Sequence, residues 1–268
     1  MKIRILALAA ILAVCPRSDA QTTLTAGEVE LAINFVPAYV GSAINPWLLA
    51  IRNPDALVEY AGVREGSADP ERVRLVANEQ TRIVVPNDTR FSALGTPGGS
   101  AWLLPDAPDE SVLTPGISLE SRATQAGWQG VGVAPEFLAQ GVPGANTFVG
   151  NRITLTLMSF TGPGHFSLYR LNGFGDPIWY FRTDDGLTTG DARTFNSASH
   201  SDLNWAFTAP GNYTLGFRAA GLLTSGQSTA SDVTLFHFQV VPEPRVGTLL
   251  AAAIIVAWSR RPSHRFAP

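Results

Sequence analysis

The chain has 268 residues, 45% of them hydrophobic and 15% charged, a composition that supports a buried core and excludes a wholly disordered segment. Its net charge of -3 and pI near 5.8, with both signs scattered along the sequence, exclude the basic stripe of a nucleic-acid-binding surface.

The chain opens with Lys2 and Arg4, then an uncharged run from Ile5 to Cys15, then Ser18 and Ala20 flanking Asp19. That charged, apolar and small-residue order predicts a secretory signal peptide over residues 1–20, cut after Ala20. The run is shorter than the ~20 residues of a permanent membrane span. Cys15 is the only cysteine, so the expected mature chain has neither disulfide nor free thiol. Leu12, Ala13, Val14 and Cys15 offer an alternative as a lipobox, although Val14 is bulky for the position before a modified cysteine.

Residues 21–241 are long enough for one large β domain or two small ones. Gly and Pro interrupt them at short intervals, as in Gly95-Thr96-Pro97-Gly98-Gly99, Thr114-Pro115-Gly116, Gly162-Pro163-Gly164 and Ala209-Pro210-Gly211, leaving little room for long helices. Between these breaks apolar residues recur with period two: Val29, Leu31, Ile33, Phe35; Ile153, Leu155, Leu157; Phe166, Leu168; Tyr213, Leu215, Phe217; and Val233, Leu235, Phe238. Short alternating strands with turns between them predict an all-β fold, an antiparallel β-sandwich, with helix only in the leader and the tail. Asp55 to Tyr60 reads equally as a helical turn or a strand edge. Pro143 and the glycines at 141 and 144 offer a place for a subdivision near residues 141–150. Trp205, Phe207, Pro210, Gly211 and Tyr213 read as a hairpin that buries its aromatics.

Gly150 to Leu157, Gly162 to Tyr169, and above all Asn204-Trp205-Ala206-Phe207-Thr208-Ala209-Pro210-Gly211-Asn212-Tyr213 resemble the surface-anchored domain repeated in actinobacterial cell-wall proteins, and its longer choice-of-anchor M relative. Ala101 to Pro105 and Gly127 to Gly132 resemble the longer type. The likeness covers roughly residues 26–241 and implies a surface protein without an assigned biochemical role. Where such relatives often carry His-x-His before the Asn-Trp pair, this chain has His200 and Asp202, and its early strand Glu28 to Asn34 has no histidine.

Residues two apart on a strand share a face, so His200 and Asp202 are candidate ligands for one metal ion. Two ligands do not complete a site, and a loop histidine hydrogen-bonded to its neighbour is the simpler explanation of the pair. Asp184, Asp185 and Asp191 lie in a Gly-containing loop but do not follow the spaced acidic calcium pattern. No nucleophile elbow, zincin helix motif, phosphate loop or dinucleotide fingerprint is present, so no catalytic residue and no cofactor is assigned. A triad could still assemble in space around His165, His200 or His237, which keeps a secreted hydrolase open as an alternative. Trp102, Trp128 and Trp179 could stack on sugar rings, which keeps a glycan-binding module open as another.

The chain closes on Val241-Pro242-Glu243-Pro244-Arg245, an uncharged stretch from Val246 to Ser259, then Arg260 and Arg261. A stiff Pro-x-Pro hinge, an apolar segment and a basic pair read as a stop-transfer signal over residues 242–268. Pro242, Glu243 and Pro244, with the apolar helix and the arginines, resemble the PEP-CTERM sorting signal. The resemblance implies an exosortase-type membrane protease as partner, in a Gram-negative bacterium that often makes exopolysaccharide, and a protein of the cell envelope, surface or extracellular space held by a transient or retained membrane anchor. A plain C-terminal anchor without processing is the alternative.

Overall fold

The computed structural model describes residues 21–107, 109–120, 127–140 and 146–242. The expected leader with Ala20, and the tail from Glu243 onward with Pro244, Arg260 and Arg261, lie outside the described residues. Half of the chain is strand and 9% is helical, so the fold is mostly β, as the period-two runs predict. The expectation of no helix between leader and tail is corrected by a short α-helix, Pro135–Gln140, and several single 3-10 turns. Among the described residues, no helix is long and apolar enough to cross a membrane.

The strands form three sheets. In the largest, Thr22–Leu24, Val73–Ala77, Thr234–Val240, Gly211–Leu222, Arg152–Thr161 and Ala192–Asn196 lie side by side in that order, with Val63–Arg64 and Ser228–Ala230 attached. The second runs Gln129–Val131, Val58–Ala61, Trp47–Asn53, Gly27–Phe35, Leu113–Ser118, His200–Asp202. The third runs Pro177–Arg182, Phe166–Leu171, Asn204–Phe207, Ser100–Leu104, Arg82–Val84. The antiparallel expectation needs correcting, because four strand pairs are parallel, among them Gly27–Phe35 with Leu113–Ser118 and Thr234–Val240 with Val73–Ala77. Parallel partners cannot be joined by a tight turn and come from distant stretches of chain. The local turn signals therefore gave no sign of them.

One apolar cluster gathers residues from all three sheets, including Ile33, Phe35, Leu113, Leu155, Phe166, Trp205, Phe217 and Phe238. Strands on both sides of residues 141–150 contribute to it. The period-two sets at Val29–Phe35, Ile153–Leu157, Phe166–Leu168 and Tyr213–Phe217 are all buried. The last set is out of register: Phe236, Phe238 and Val240 point inward, while Leu235 alternates to the other face. Asp55 to Tyr60 resolves into a turn closed by Leu57 N–H donating to the Pro54 carbonyl, followed by the strand Val58–Ala61.

The aromatic motif buries as expected but is not a hairpin. Asn204–Phe207 pairs with Phe166–Leu171 and Ser100–Leu104, whereas Gly211–Leu222 pairs with Arg152–Thr161 and Thr234–Val240. The turn at Pro210 and Gly211 thus carries the chain from one sheet to another. Phe207 and Tyr213 face each other across that corner with ring centroids 4.8 Å apart. The Tyr213 hydroxyl closes the corner, donating to the Ala209 carbonyl at 2.7 Å and accepting from the Ala209 N–H at 3.1 Å. Gly162 is required beneath it, since a Cβ there would lie 2.2 Å from the Tyr213 ring.

Candidate metal centre

The strand Gly27–Phe35 has two faces of opposite chemistry. Val29, Leu31, Ile33 and Phe35 enter the main core, which sends Glu28, Glu30, Ala32 and Asn34 to the other side. The neighbouring strands match that pattern. Arg52 on Trp47–Asn53, Glu59 on Val58–Ala61, and Ser118 on Leu113–Ser118 are all buried on the same outer face. Arg52 ties them together, donating from its NH1 nitrogen to Glu30 Oε2 at 3.0 Å and to Ser118 Oγ at 3.3 Å, and from Nε to Glu59 Oε2 at 3.3 Å. Asn34 donates to Glu59 Oε1 at 2.6 Å. Trp128 lies over the guanidinium, 5.7 Å from ring centroid to the central carbon, and Phe137 and Val133 pack on Val36 and Ala61 farther along the face.

The edge strand His200–Asp202 completes this face. It follows a tight turn in which Ala198 adopts a left-handed backbone, φ 60°, and Ala198 N–H and Ser199 C=O bond to Leu119. That turn sets His200 opposite Ser118 and Asp202 opposite Gly116, so both side chains emerge on the polar face as the sequence predicts. They reach farther than one strand. Gly116 has no side chain, and His200 Nε2 and Asp202 Oδ1 occupy the space above it; a Cβ at Gly116 would lie 2.6 Å from the former and 3.2 Å from the latter. Across this gap they meet the carboxylates of the strand beyond.

Glu28, His200 and Asp202 form the cluster, with one ligand atom from each lying within 4.8 Å of the others. His200 Nε2 is 2.9 Å from Asp202 Oδ1 and 3.9 Å from Glu28 Oε1, spanning the ~3.4 Å ligand separation that a tetrahedral zinc-like ion imposes. The other ring nitrogen, Nδ1, faces Glu30 Oε1 at 3.4 Å. Nε2 is sealed from solvent and makes no hydrogen bond, although Asp202 Oδ1 lies 2.9 Å away. The Glu28 carboxyl is held above its ordinary range, first by partial burial and then by the carboxylates of Glu30, Asp202 and Asp55, while His200 pulls the other way. An orphaned imidazole nitrogen and crowded carboxylates around a vacancy of side chain are the features a cation would satisfy.

Sequence reading finds His200 and Asp202 but misses Glu28, Glu30 and Gly116. The i, i+2 spacing of Glu28 and Glu30 is legible, but their meeting with His200 depends on a parallel strand inserted between them.

The other candidates resolve differently. Asp191 is buried and clasps its own loop, accepting from Thr188 N–H at 2.7 Å and Arg182 N–H at 3.1 Å; Asp184 pairs with the Arg182 guanidinium. His165 Nδ1 lies 3.3 Å from the Thr183 carbonyl and His237 Nδ1 lies 3.2 Å from Thr214 Oγ1, so the three described histidines have separate surroundings. Trp102 is buried in the core. Trp179 packs on Tyr169 and beneath Arg182, so these rings and Trp128 form no exposed row. Comparison of the chain with protein families, curated proteins and solved structures finds no match.

Proposed function

We propose that this chain is an exported bacterial surface or extracellular-matrix protein, sorted by its C-terminal tail, whose β domain holds a divalent cation at Glu28, His200 and Asp202. We read the domain as a β-sandwich, with the eight-stranded sheet as one layer and the two smaller sheets as the other; the shared apolar cluster supports this.

The observation that carries the cation reading is the convergence of Glu28 with His200 and Asp202 over the bare backbone of Gly116. Three protein ligands leave a fourth position for water or for a group on another molecule. A surface module could use such a position to attach to an anionic glycan through the ion. Direct stacking on sugars has less support, because Trp102 is buried and the half-buried Trp128 and Trp179 lie against Arg52 and Arg182. The test is thermal unfolding of the mature protein with and without a chelator. Removal of the ion should lower the melting temperature of the wild type by mass action and leave His200→Ala unchanged. Identical curves for the wild type in both conditions would remove the cation from the proposal.

The sorting reading rests on the tail sequence. It is supported by the last described strand, Thr234–Val240, which ends beside Ala77 with Val241 N–H donating to the Ala77 carbonyl and leaves Pro242 exposed. Deleting residues 246–268 should leave export intact and release the protein into the medium. A truncated chain that remains with the envelope after fractionation would show that the tail is not the anchor.

A further inference from the structure

The polar face explains more than which side chains meet a cation. Glu30 has two carboxylate oxygens with different tasks. Oε2 accepts from the buried guanidinium of Arg52, and Oε1 faces His200 Nδ1. Glu30 is 8% exposed and Arg52 4%, so neither can turn to water for a substitute partner. Arg52 can only donate.

We propose that Glu30, clamped by Arg52, is a positioning residue that fixes His200 as the Nδ1–H tautomer and leaves the Nε2 lone pair bare toward Glu28 and Asp202, so that the site takes an imidazole-preferring transition dication of the zinc class over calcium or magnesium. This rests on the cation reading above. The chemistry runs in one direction. A neutral imidazole has one protonated and one bare nitrogen, and the hydrogen bond made by one decides what the other can ligate. Carboxylates face both ring nitrogens, but Glu30 at Nδ1 is buried and clamped by Arg52 whereas Asp202 at Nε2 is half-exposed and can turn to water, so the proton is held on Nδ1. Nε2 then points its lone pair into the space above Gly116. Calcium and magnesium take oxygen ligands, and a committed imidazole nitrogen contributes little to them. Carboxylate–histidine–metal chains of this kind also hold the ring in place before the ion arrives.

Glu30→Gln separates this role from charge and packing alone. The amide is nearly isosteric, and Arg52 claims its oxygen because it has nothing to accept with. The NH2 group is left facing His200 Nδ1 and can only donate. Nδ1 must then accept, the proton moves to Nε2, and the ligand is lost although every side chain remains in place. The experiment uses the full mature chain, titrated calorimetrically with zinc and separately with calcium, and nitrogen-15 NMR of His200 in the metal-free protein at alkaline pH. The expected result is an Nδ1–H tautomer in the wild type, zinc bound well ahead of calcium, and in Glu30→Gln the opposite tautomer with zinc affinity lower by roughly 10- to 100-fold.

An Nε2–H tautomer in the wild type, or zinc affinity unchanged in Glu30→Gln, overturns the positioning role while wild-type zinc binding keeps the cation reading alive. Wild-type binding of calcium as tight as zinc overturns the ion class. Absence of binding by either ion from a wild type with the Nδ1–H tautomer defeats the cation reading and this inference with it. The wild-type spectrum decides the tautomer even if Glu30→Gln does not fold.

Discussion

The two faces of the six-stranded sheet are both buried, yet they are built from opposite materials. On the strand Gly27–Phe35, every residue from Val29 to Phe35 is enclosed; the inward set is Val29, Leu31, Ile33 and Phe35, and the outward set contains Glu30 and Asn34. The inward face gains from removing hydrocarbon from water and tolerates little loss of volume. The outward face gains little from its ion pairs, because desolvating Glu30, Arg52 and Glu59 offsets most of their attraction. Its arrangement fixes the direction of a few polar atoms, and those directions converge on His200. Within one sheet, stability and site geometry are thus assigned to different sides.

Breaking the inward face should produce the largest effect. Phe35 packs edge-on against Trp47 at 4.7 Å and Phe148 at 5.0 Å between ring centroids. Phe35→Ala should cost about 3–5 kcal/mol, a large share of the ~5–15 kcal/mol that holds a domain together. Denaturant unfolding would read this as a lower midpoint. A loss below about 1 kcal/mol would mean that the three sheets do not share the core through this ring. Trp205, stacked on Phe238 at 5.4 Å, should behave in the same way when truncated.

Breaking the outward face should come next. Arg52→Met keeps the stem but leaves the Glu30 and Glu59 carboxylates without their guanidinium, and removing one partner of a buried charge cluster costs about 3 kcal/mol. Unlike the core variant, it should also move His200, because Glu30 loses its clamp. The prediction fails if Arg52→Met melts like the wild type, which would mean that this face admits water.

The contrast also explains what the sequence reveals. Alternation in Val29–Phe35 and Ile153–Leu157 marks the inward face because burial of hydrocarbon leaves a periodic trace. The same alternation makes Glu30 and Asn34 look solvent-facing. Their burial depends on Trp128, Val133 and Phe137, which are remote in the chain and carry no periodic signal of where they will lie. His200 and Asp202 are legible as a same-face pair, since that needs only the geometry of one strand. The third ligand is not, because Leu113–Ser118 enters between the strands through a parallel pairing that no turn sequence announces. For the same reason the corner at Pro210 and Gly211 reads as a hairpin: proline and glycine specify a turn, and the choice between returning to the same sheet and crossing to another is made by Tyr213 and Phe207 packing across the core.

A milder substitution sharpens the separation of stability from site geometry. Gly116→Ala places a methyl group where His200 Nε2 and Asp202 Oδ1 now lie, and both are ends of side chains that can swing away. Stability should change by less than ~1 kcal/mol, since the residue's backbone angle is an ordinary one and the displaced groups can reach solvent. Zinc affinity should fall at least tenfold, read by the same calorimetric titration as the wild type. Equal loss of both would mean that the polar face contributes to the fold in the way the apolar face does.

The smallest effect concerns the outer face of the eight-stranded sheet, where His237 alternates with the inward Phe236 and Phe238 and lies beside Thr214, Glu71 and Arg74. Burial pushes its imidazole below the ordinary histidine value of 6.5; Arg74 acts in the same direction and Glu71 against it. The folded state therefore binds fewer protons than the unfolded chain in the interval between the lowered value and 6.5. Stability from this group is fully present above 6.5 and declines as pH falls through that interval, because the unfolded chain takes up the proton first. His237→Gln keeps a polar partner for Thr214 and removes the titration. Its melting temperature should fall less steeply with acidification below 6.5 than that of the wild type, with the two curves parallel above it. Chelator should be present throughout, so that release of an ion does not enter the comparison. If the two proteins lose stability in parallel through that interval, His237 is as well solvated as a histidine in the unfolded chain, and the outer face of this sheet is open where the polar face of its neighbour is closed.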